Sequence, residues 1–184
     1  MQTSNPKVAN FNYNYYEHIY AGFINFIGVL HSIDYQIGLR GEYQTAKGKL
    51  LQNALSDTLI KKEGFNLFPT IFIRKKIGDK KIAYFQINYS RRTSRPSSGK
   101  LNPFRYQTDN YTLQAGNPRL NDQFSNQIEF SYNFKNKYNI SLGYIYTEDL
   151  ISQIMEYYSN SPKMLITYRN IGQYKNYRLI LTVP

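Results

Sequence analysis

The sequence predicts an all-β fold, a segment of an antiparallel transmembrane β-barrel, and three observations point to it. The first is an almost unbroken alternation in 124–135: Phe124, Asn126, Ile128, Phe130, Tyr132 and Phe134 fall on one face, and Ser125, Gln127, Glu129, Ser131, Asn133 and Lys135 on the other. Successive side chains of a strand point to opposite faces, so this strand has one apolar and one polar side. The second is that similar runs recur with alternately short and long connections. The third is an aromatic load of 19 Tyr and 11 Phe, which suits strands that lie between lipid and a watery lumen.

About seven strands are expected, and they lie at 17–28, 35–45, 70–77, 82–92, 124–135, 138–150 and 164–184. The last run is expected to be bent or broken near Gly172. Between the second and third strands, 46–68 reads as a polar connection with a helical turn or two in 50–61. Turn-forming residues and short spacing predict tight turns at 32–34, 78–80 and 136–137.

The connections alternate in length, and this indicates which end of the barrel is which. Outer-membrane barrels have short periplasmic turns and long extracellular loops. On that rule the three tight turns face the periplasm, and the loops 46–68, 93–123 and 148–163 face the outside. A soluble β-sandwich also has strands and turns, but it does not need strands this long and aromatic.

Composition narrows the class of protein further. Lys and Arg number 23 against 12 Asp and Glu, a formal net charge of +11, and Cys is absent. The lack of Cys excludes disulfides, thiol catalysis and Cys-ligated zinc. Since no run of about 18 apolar residues occurs, a membrane helix is not expected, whereas barrel strands need only about 9–11 residues. Residues 1–10 do not form a secretory signal peptide, and because an outer-membrane protein must be exported, we expect the true N-terminus to be missing.

Specific motifs add a family resemblance. They are Tyr89-Ser90-Arg91-Arg92, Arg95-Pro96, Leu101-Asn102-Pro103-Phe104, Gly116-Asn117-Pro118 with Leu120, and the earlier Gly38-Leu39-Arg40. Together they resemble TonB-dependent receptors of the outer membrane, in particular the outer-membrane β-barrel family common in Bacteroidetes-type bacteria. The resemblance covers nearly the whole chain. Asn121-Asp122 departs from the family's usual Pro-Glu pair, and Gly22 stands where Ala is common.

The resemblance implies a larger protein than this chain. Family members have a signal peptide, a plug and a barrel of about twenty-two strands, and neither plug nor energy-coupling segment is evident here. We therefore expect 1–184 to be one partial barrel domain, a fragment from the C-terminal barrel of a receptor. Seven strands do not close a bacterial barrel, and an open edge in hydrocarbon leaves unpaired amides. The chain alone is therefore expected not to form a functional pore.

The long loop 93–123 supplies the candidate ligand-binding residues, which are Arg95, Lys100, Arg105, Tyr106, Tyr111 and Arg119. Arginine forks match phosphate and carboxylate oxygens, so an anionic ligand is one hypothesis. A solvated basic loop, with some Arg facing the plug, is the other. The Pro and Gly positions of the loop are expected to fix its shape.

Catalysis is not expected. Glu17, His18, Glu42 and Glu129 form no recognisable metal-binding or nucleophile–base spacing, so neither an enzyme, nor a metal, nor a cofactor is predicted. Glu42 and Glu129 are instead expected to pair with Arg or Lys on neighbouring strands.

These observations predict part of a TonB-dependent outer-membrane receptor for nutrient uptake. Its expected partners are outer-membrane lipid, the plug and TonB system of the complete receptor, and an unidentified nutrient. Siderophore, oligosaccharide, peptide and cobalamin all stay open. Two alternatives remain: a small stand-alone outer-membrane barrel acting as adhesin or anchor, and a basic nucleic-acid-binding β-domain. The second is disfavoured because the basic residues are spread over turns and loops, and no nucleic-acid partner is expected.

Overall fold

The described part of the chain is built almost entirely from antiparallel β-structure. The computed structural model describes residues 11–52, 55–78, 82–157 and 162–184. Its elements are β1 Phe11–Leu30, β2 Ile33–Gln52, β3 Leu55–Ile77, β4 Ala83–Ser94, α1 Ser98–Leu101, β5 Tyr106–Gln107, β6 Thr112–Gln114, β7 Gln123–Phe134, β8 Tyr138–Glu148, β9 Ile151–Tyr157, β10 Met164–Asn170 and β11 Tyr174–Thr182. The order β1-β2-β3-β4-β7-β8-β11 forms a seven-stranded sheet. This confirms the predicted all-β fold and its seven long strands. Among the described residues, no helix is long and apolar enough to cross a membrane.

Tight turns join the strands at one end of this sheet. β1 and β2 pair up to Leu30 and Ile33, and β7 and β8 pair up to Phe134 and Tyr138. Lys135 and Asn136 both have positive φ, at 54° and 53°, as a hairpin turn that follows the strand twist requires. The predicted turns near 32–34 and 136–137 are thus confirmed. Of the third predicted turn, 78–80, residues 79 and 80 lie outside the described residues.

One face of the sheet is a continuous apolar surface. Residues aligned across the seven strands form apolar rows, such as Phe26, Ile37, Ile71, Tyr89, Ile128, Tyr144 and Tyr177. Large members of these rows are exposed, Phe26 by 59% and Leu142 by 53%. Along β1 the apolar band covers 20–30, which matches the roughly 9–11 residues that a barrel strand needs to cross a bilayer. The face is that of a sheet that meets lipid.

The opposite face is polar. A row beside the apolar one reads Asn25, Gly38, Thr70, Ser90, Gln127, Ile145 and Asn176. Buried polar side chains of the sheet also lie on this face, namely Glu42, Gln44, Ser131, Ser141 and Thr147. Arg178 reaches from β11 across Gly143 to Glu129, with Nη2 and Oε2 3.0 Å apart. Polar residues that are more enclosed than the apolar ones indicate the inner, concave side of a barrel wall.

The largest error of the sequence prediction concerns 46–68. This stretch is not a loop, and 50–61 is not helical in its described part: β2 continues to Gln52, and β3 begins at Leu55 and pairs with it. The two strands bulge at Gly48 and Lys49 and extend beyond the end of β4, whose pairing with β3 begins at Thr70. Beyond the bilayer neither face has to be apolar. The hydrophobic alternation therefore disappears while the backbone pairing continues.

A second, four-stranded sheet has the order β5-β6-β10-β9. β5 and β6 lie in the connection 93–123, β9 lies in 148–163, and β10 is the first part of the predicted strand 164–184. The prediction of a break near Gly172 is confirmed, because β10 belongs to this small sheet and β11 to the large one. Gly172 has φ +106°, a conformation that favours glycine. Its carbonyl accepts from the Leu150 N–H at 3.0 Å, and the Leu150 carbonyl accepts from the Ile171 N–H at 2.9 Å. The small sheet is thereby fixed to the end of β8 and the start of β11.

Candidate functional site at the loop-bearing end of the sheet

A compact core fixes the loop 93–123 against the extended strands. Ile60 of β3, Leu101 of α1 and Leu120 are buried together, 2%, 0% and 0% exposed. Tyr13 and Tyr168 pack against them. Burying side chains of this size contributes about 1.5–3 kcal/mol each. The loop is therefore a folded unit rather than a flexible connection.

The Gly-Asn-Pro motif closes the end of α1. The Gly116 N–H donates to the Asn102 carbonyl at 2.8 Å, and the Asn117 N–H donates to the Lys100 carbonyl at 2.6 Å. The Asn117 side chain also donates to the Tyr168 carbonyl of β10 at 2.9 Å. The last carbonyl groups of a helix have no hydrogen-bond partner within the helix, so they need donors such as these. The expectation that the Pro and Gly positions fix the loop shape is confirmed for Gly116, and Asn117, which was not predicted, has the same role.

A network of charged side chains joins this loop to the barrel wall. We call it the mouth network, and its members are Glu17 of β1, Arg40 and Glu42 of β2, Lys62 of β3, Arg95 after β4 and Asp122 before β7. The Arg95 guanidinium donates to Glu42 and lies 3.8 Å from Glu17 and 3.7 Å from Asp122. Three cations face three carboxylates, so the network is balanced in charge.

Other contacts complete the mouth network. Arg40 Nε donates to the second oxygen of Glu42 at 2.7 Å, and Lys62 Nζ lies 3.2 Å from Asp122 and also donates to the Leu120 carbonyl. The Glu42 side chain is only 8% exposed. A buried carboxylate is tolerated only when it is paired and hydrogen-bonded. Glu42 and Glu129 both pair with arginine, as predicted, but the partners are not on neighbouring strands. Arg40 is on the same strand as Glu42, Arg95 follows β4, and Arg178 lies two strands from Glu129.

Two tyrosines beside the network stay uncharged. Burial raises the pKa of Tyr15 to about 12, and the negative charges of Glu17 and Asp122 add to this shift. Burial likewise raises the pKa of Tyr13. Both residues lie on β1 outside the apolar band, so they are protonated phenols at any physiological pH. They add no charge to the balance of the mouth network.

An open cavity of about 490 Å³ lies on the polar face next to the mouth network. Asn25, Gly38 and Thr70 line it from one row of the sheet, and the row nearer the loops contributes apolar and cationic side chains, which are Phe23, Arg40, Phe68 and Arg92. Small-molecule sites commonly have about this volume, with mostly apolar walls and a few polar groups.

The outward end carries a second exposed surface on the small sheet, which we call the loop-sheet face and define by Tyr106, Met155 and Tyr157. Pairing aligns Tyr106 with Gln114, Gln114 with Ile166, and Ile166 with Met155, so these side chains share a face. Tyr106, Met155 and Tyr157 are 55%, 59% and 78% exposed. Tyrosine and methionine on an exposed surface are typical of recognition sites.

The six predicted ligand-binding residues fall into different surroundings. Arg95 is held by carboxylates in the mouth network, and the Lys100 ammonium lies 5.4 Å from the centre of the Tyr168 ring. The remaining four are exposed: Arg105, Tyr106, Tyr111 and Arg119. Only Tyr106 belongs to the loop-sheet face, and ligand contact by the six stays a prediction.

Sequence reasoning did not identify Met155 and Tyr157, although both lie in a predicted extracellular loop. The sequence of 151–157 does not alternate between apolar and polar residues, so the exposed side of β9 is visible only in the folded structure. Within the described residues, no group of three His, Asp or Glu side chains is placed to hold a metal ion. Glu17 and Glu42 converge on Arg95 instead.

The fold has clear relatives among solved structures. The hemophore receptor HasR from Serratia marcescens, solved as a double mutant in complex with its hemophore HasA and heme, matches with a TM-score of 0.69 at 11% identity, over 91% of this chain and 32% of HasR. The siderophore receptor PirA from Pseudomonas aeruginosa matches with a TM-score of 0.52 at 12% identity, over 91% of this chain and 39% of PirA. The chain thus spans about a third of the length of these receptors. At such identities the likeness shows the fold alone.

No curated protein sequence matches the chain. A family model does, and it covers residues 2–184. Together with the apolar outer face, the polar inner face and the turn-and-loop asymmetry, this match shows that the chain belongs to the outer membrane protein beta-barrel family.

Proposed function

We propose that the chain forms part of the barrel wall of a TonB-dependent receptor that takes up a scarce nutrient. The observation that carries this proposal has two parts. One face of the sheet is apolar, as in a sheet that meets lipid, and the loop 93–123 at one end of the sheet is folded and is joined to the wall by the mouth network. In the complete receptor, a plug would fill the lumen and the TonB system would supply energy. The motifs of the loop resemble those of Bacteroidetes-type receptors, and this supports such an origin.

The loop-sheet face is the proposed point of first contact with the nutrient. Its tyrosine rings offer apolar area with little loss of side-chain freedom, and its flexible thioether can adapt to an irregular surface. The loop below it is held by a core and by ion pairs, so the surface is preorganised rather than formed on binding. HasR and PirA are a hemophore receptor and a siderophore receptor, and iron-carrying ligands are therefore among the first nutrients to test.

Orientation in the membrane is tested by two adjacent residues of β4. Ile87 lies on the apolar face and Asn88 on the polar one. Ile87→Arg is expected to destabilise the folded protein by about 2–4 kcal/mol, since an arginine would face hydrocarbon, whereas Asn88→Arg is expected to change stability by less than about 1 kcal/mol. The measurement is the denaturant midpoint of the native protein in lipid vesicles. A larger cost for Asn88→Arg would mean that the polar face meets lipid.

Uptake is tested in a strain that lacks the native protein and grows on limiting amounts of one nutrient at a time, from heme and siderophores to cobalamin, oligosaccharides and peptides. We expect the complemented strain to recover growth on one class, and a protonophore to abolish uptake. The double variant Tyr106→Ala, Tyr157→Ala should lower uptake by roughly tenfold or more, as loss of aromatic anchors does at interfaces. Gln107→Ala, on the other face of the small sheet, is the matched control. Recovery on none of these nutrients would count against uptake.

A further inference from the structure

We propose that the cavity between Arg40 and Arg92 is a binding site for the carboxylate of a small organic anion with an aromatic or apolar body. The inference rests on the proposed function in one respect, namely that the polar face lines the lumen. It goes further in assigning a ligand chemistry to the inner wall, at residues separate from the exposed loop-sheet face.

The charge of the cavity lining is unbalanced. Four arginines line it, Arg40, Arg91, Arg92 and Arg95, against one carboxylate, Glu42. Both oxygens of Glu42 are already engaged, one by Arg40 and one by Arg95. Arg91 lies over an aromatic ring and donates to a backbone carbonyl. Arg40 and Arg95 belong to the charge-balanced mouth network, so the surplus positive charge of the lining comes from Arg91 and Arg92.

Two guanidinium groups have donors to spare. Arg40 uses its Nε for Glu42, and its side chain remains 52% exposed. The side chain of Arg92 is exposed and has no hydrogen-bond or ion-pair partner within the part of the chain that the structure describes. Since the planar fork of arginine matches a carboxylate with two parallel hydrogen bonds, these two side chains are suited to bind an organic acid.

The remaining lining suits the body of such a ligand. Phe23 is 82% exposed on this face, as are Ile27 and Val29 further along β1, and Phe68 is buried beside Arg40 in the same row as Phe23. Gly38 lies in the neighbouring row, and its lack of a side chain lets Thr70 and Asn25 close over it: a Cβ there would meet Thr70 Oγ1 at 2.6 Å and Asn25 Oδ1 at 3.4 Å. An aromatic acid could place its ring against the phenylalanines and its carboxylate between the arginines.

The test is binding of benzoate to the native protein purified from outer membranes in detergent, followed by isothermal titration and by saturation-transfer NMR. Benzamide, of the same shape but uncharged, is the matched probe. We expect benzoate to bind and benzamide to bind at least about tenfold more weakly, since hydrogen bonds to a charged carboxylate are stronger than those to a neutral amide. Arg92→Gln should weaken benzoate binding by about tenfold or more. Lys137→Gln, in the turn at the opposite end, should leave it unchanged.

Three outcomes would overturn the inference. Equal binding of benzoate and benzamide would show that the negative charge of the ligand does not contribute to binding. Equal benzoate binding by the native protein and Arg92→Gln would place the ligand elsewhere. If benzoate did not bind and the Arg92→Gln variant were proteolysed faster than the native protein, Arg92 would instead pair with a carboxylate of the protein itself. Because binding is measured without transport, failure of nutrient uptake would leave this result intact, and the reverse also holds.

Discussion

Replacing Arg95 with glutamine is expected to release the loop 93–123 from the barrel wall. The substitution removes the guanidinium that faces Glu17, Glu42 and Asp122. Glu42 is 6% exposed as a residue and would keep only Arg40 as a partner. Because removal of one partner leaves buried charge uncompensated, the expected loss is about 3–5 kcal/mol. This loss of stability affects the loop 93–123, whereas the pairing of the seven strands of the large sheet is unaffected.

The measurement is limited trypsin digestion of the native protein in detergent, since the loop contains Lys100, Arg105 and Arg119 as cleavage sites. Arg95→Gln should be cut there much faster than the native protein, while the barrel stays heat-modifiable. Arg178→Gln is the matched control, because that arginine makes one partly exposed pair with Glu129, and such pairs contribute about 1 kcal/mol or less. Unchanged digestion of Arg95→Gln would mean that the hydrophobic core alone holds the loop.

Gly116→Ala is expected to disrupt the same loop by a different mechanism. A Cβ at Gly116 would lie 2.5, 2.6 and 2.7 Å from the carbonyl oxygens of Lys100, Asn102 and Gly99. All three are backbone atoms, so no side chain can move aside. Overpacking typically costs about 1–3 kcal/mol, occasionally more, and this contact belongs at the upper end because it would also break the hydrogen bond from the Gly116 N–H.

Trypsin sensitivity of the loop again provides the readout, together with the thermal midpoint of the protein in detergent. The matched control is Gly99→Ala in α1, where an added Cβ meets nothing within 4 Å. Alanine there should be neutral or slightly stabilising, because it is the better helix former. If both variants behaved like the native protein, the close approach of Gly116 to α1 would not be a determinant of the loop structure.

The seven strands of the wall were predictable because each carries its own local signal. In 124–135 and 138–150, every second residue is apolar except Asn126 and Glu148, and the structure places these alternate residues on one face of β7 and β8. A strand that separates lipid from water must show this pattern along its own length, whatever its neighbours are. The same reasoning failed at 46–68, where both faces of the hairpin meet water or loops and no apolar alternation is required.

The candidate site was less accessible from sequence. The loop was found through its motifs, and the shape-fixing role of Gly116 followed from its residue type. However, Arg95 could not be separated from Arg105 or Arg119, because the three look alike until Glu42 and Asp122 are placed. Likewise, Met155 and Tyr157 join Tyr106 only once β9 and β5 are assembled in the same small sheet.

The sequence by itself therefore determined the fold class, the strand positions inside the bilayer and the two faces of the wall, because periodic contact with lipid and water is recorded residue by residue. Tertiary structure alone decided the extended hairpin, the small sheet, the mouth network and the cavity. These depend on pairs far apart in the chain, such as Arg95 with Glu42, 53 residues away, and Lys62 with Asp122, 60 residues away. No local pattern specifies such pairs, since they form only when the register of the whole sheet brings them together.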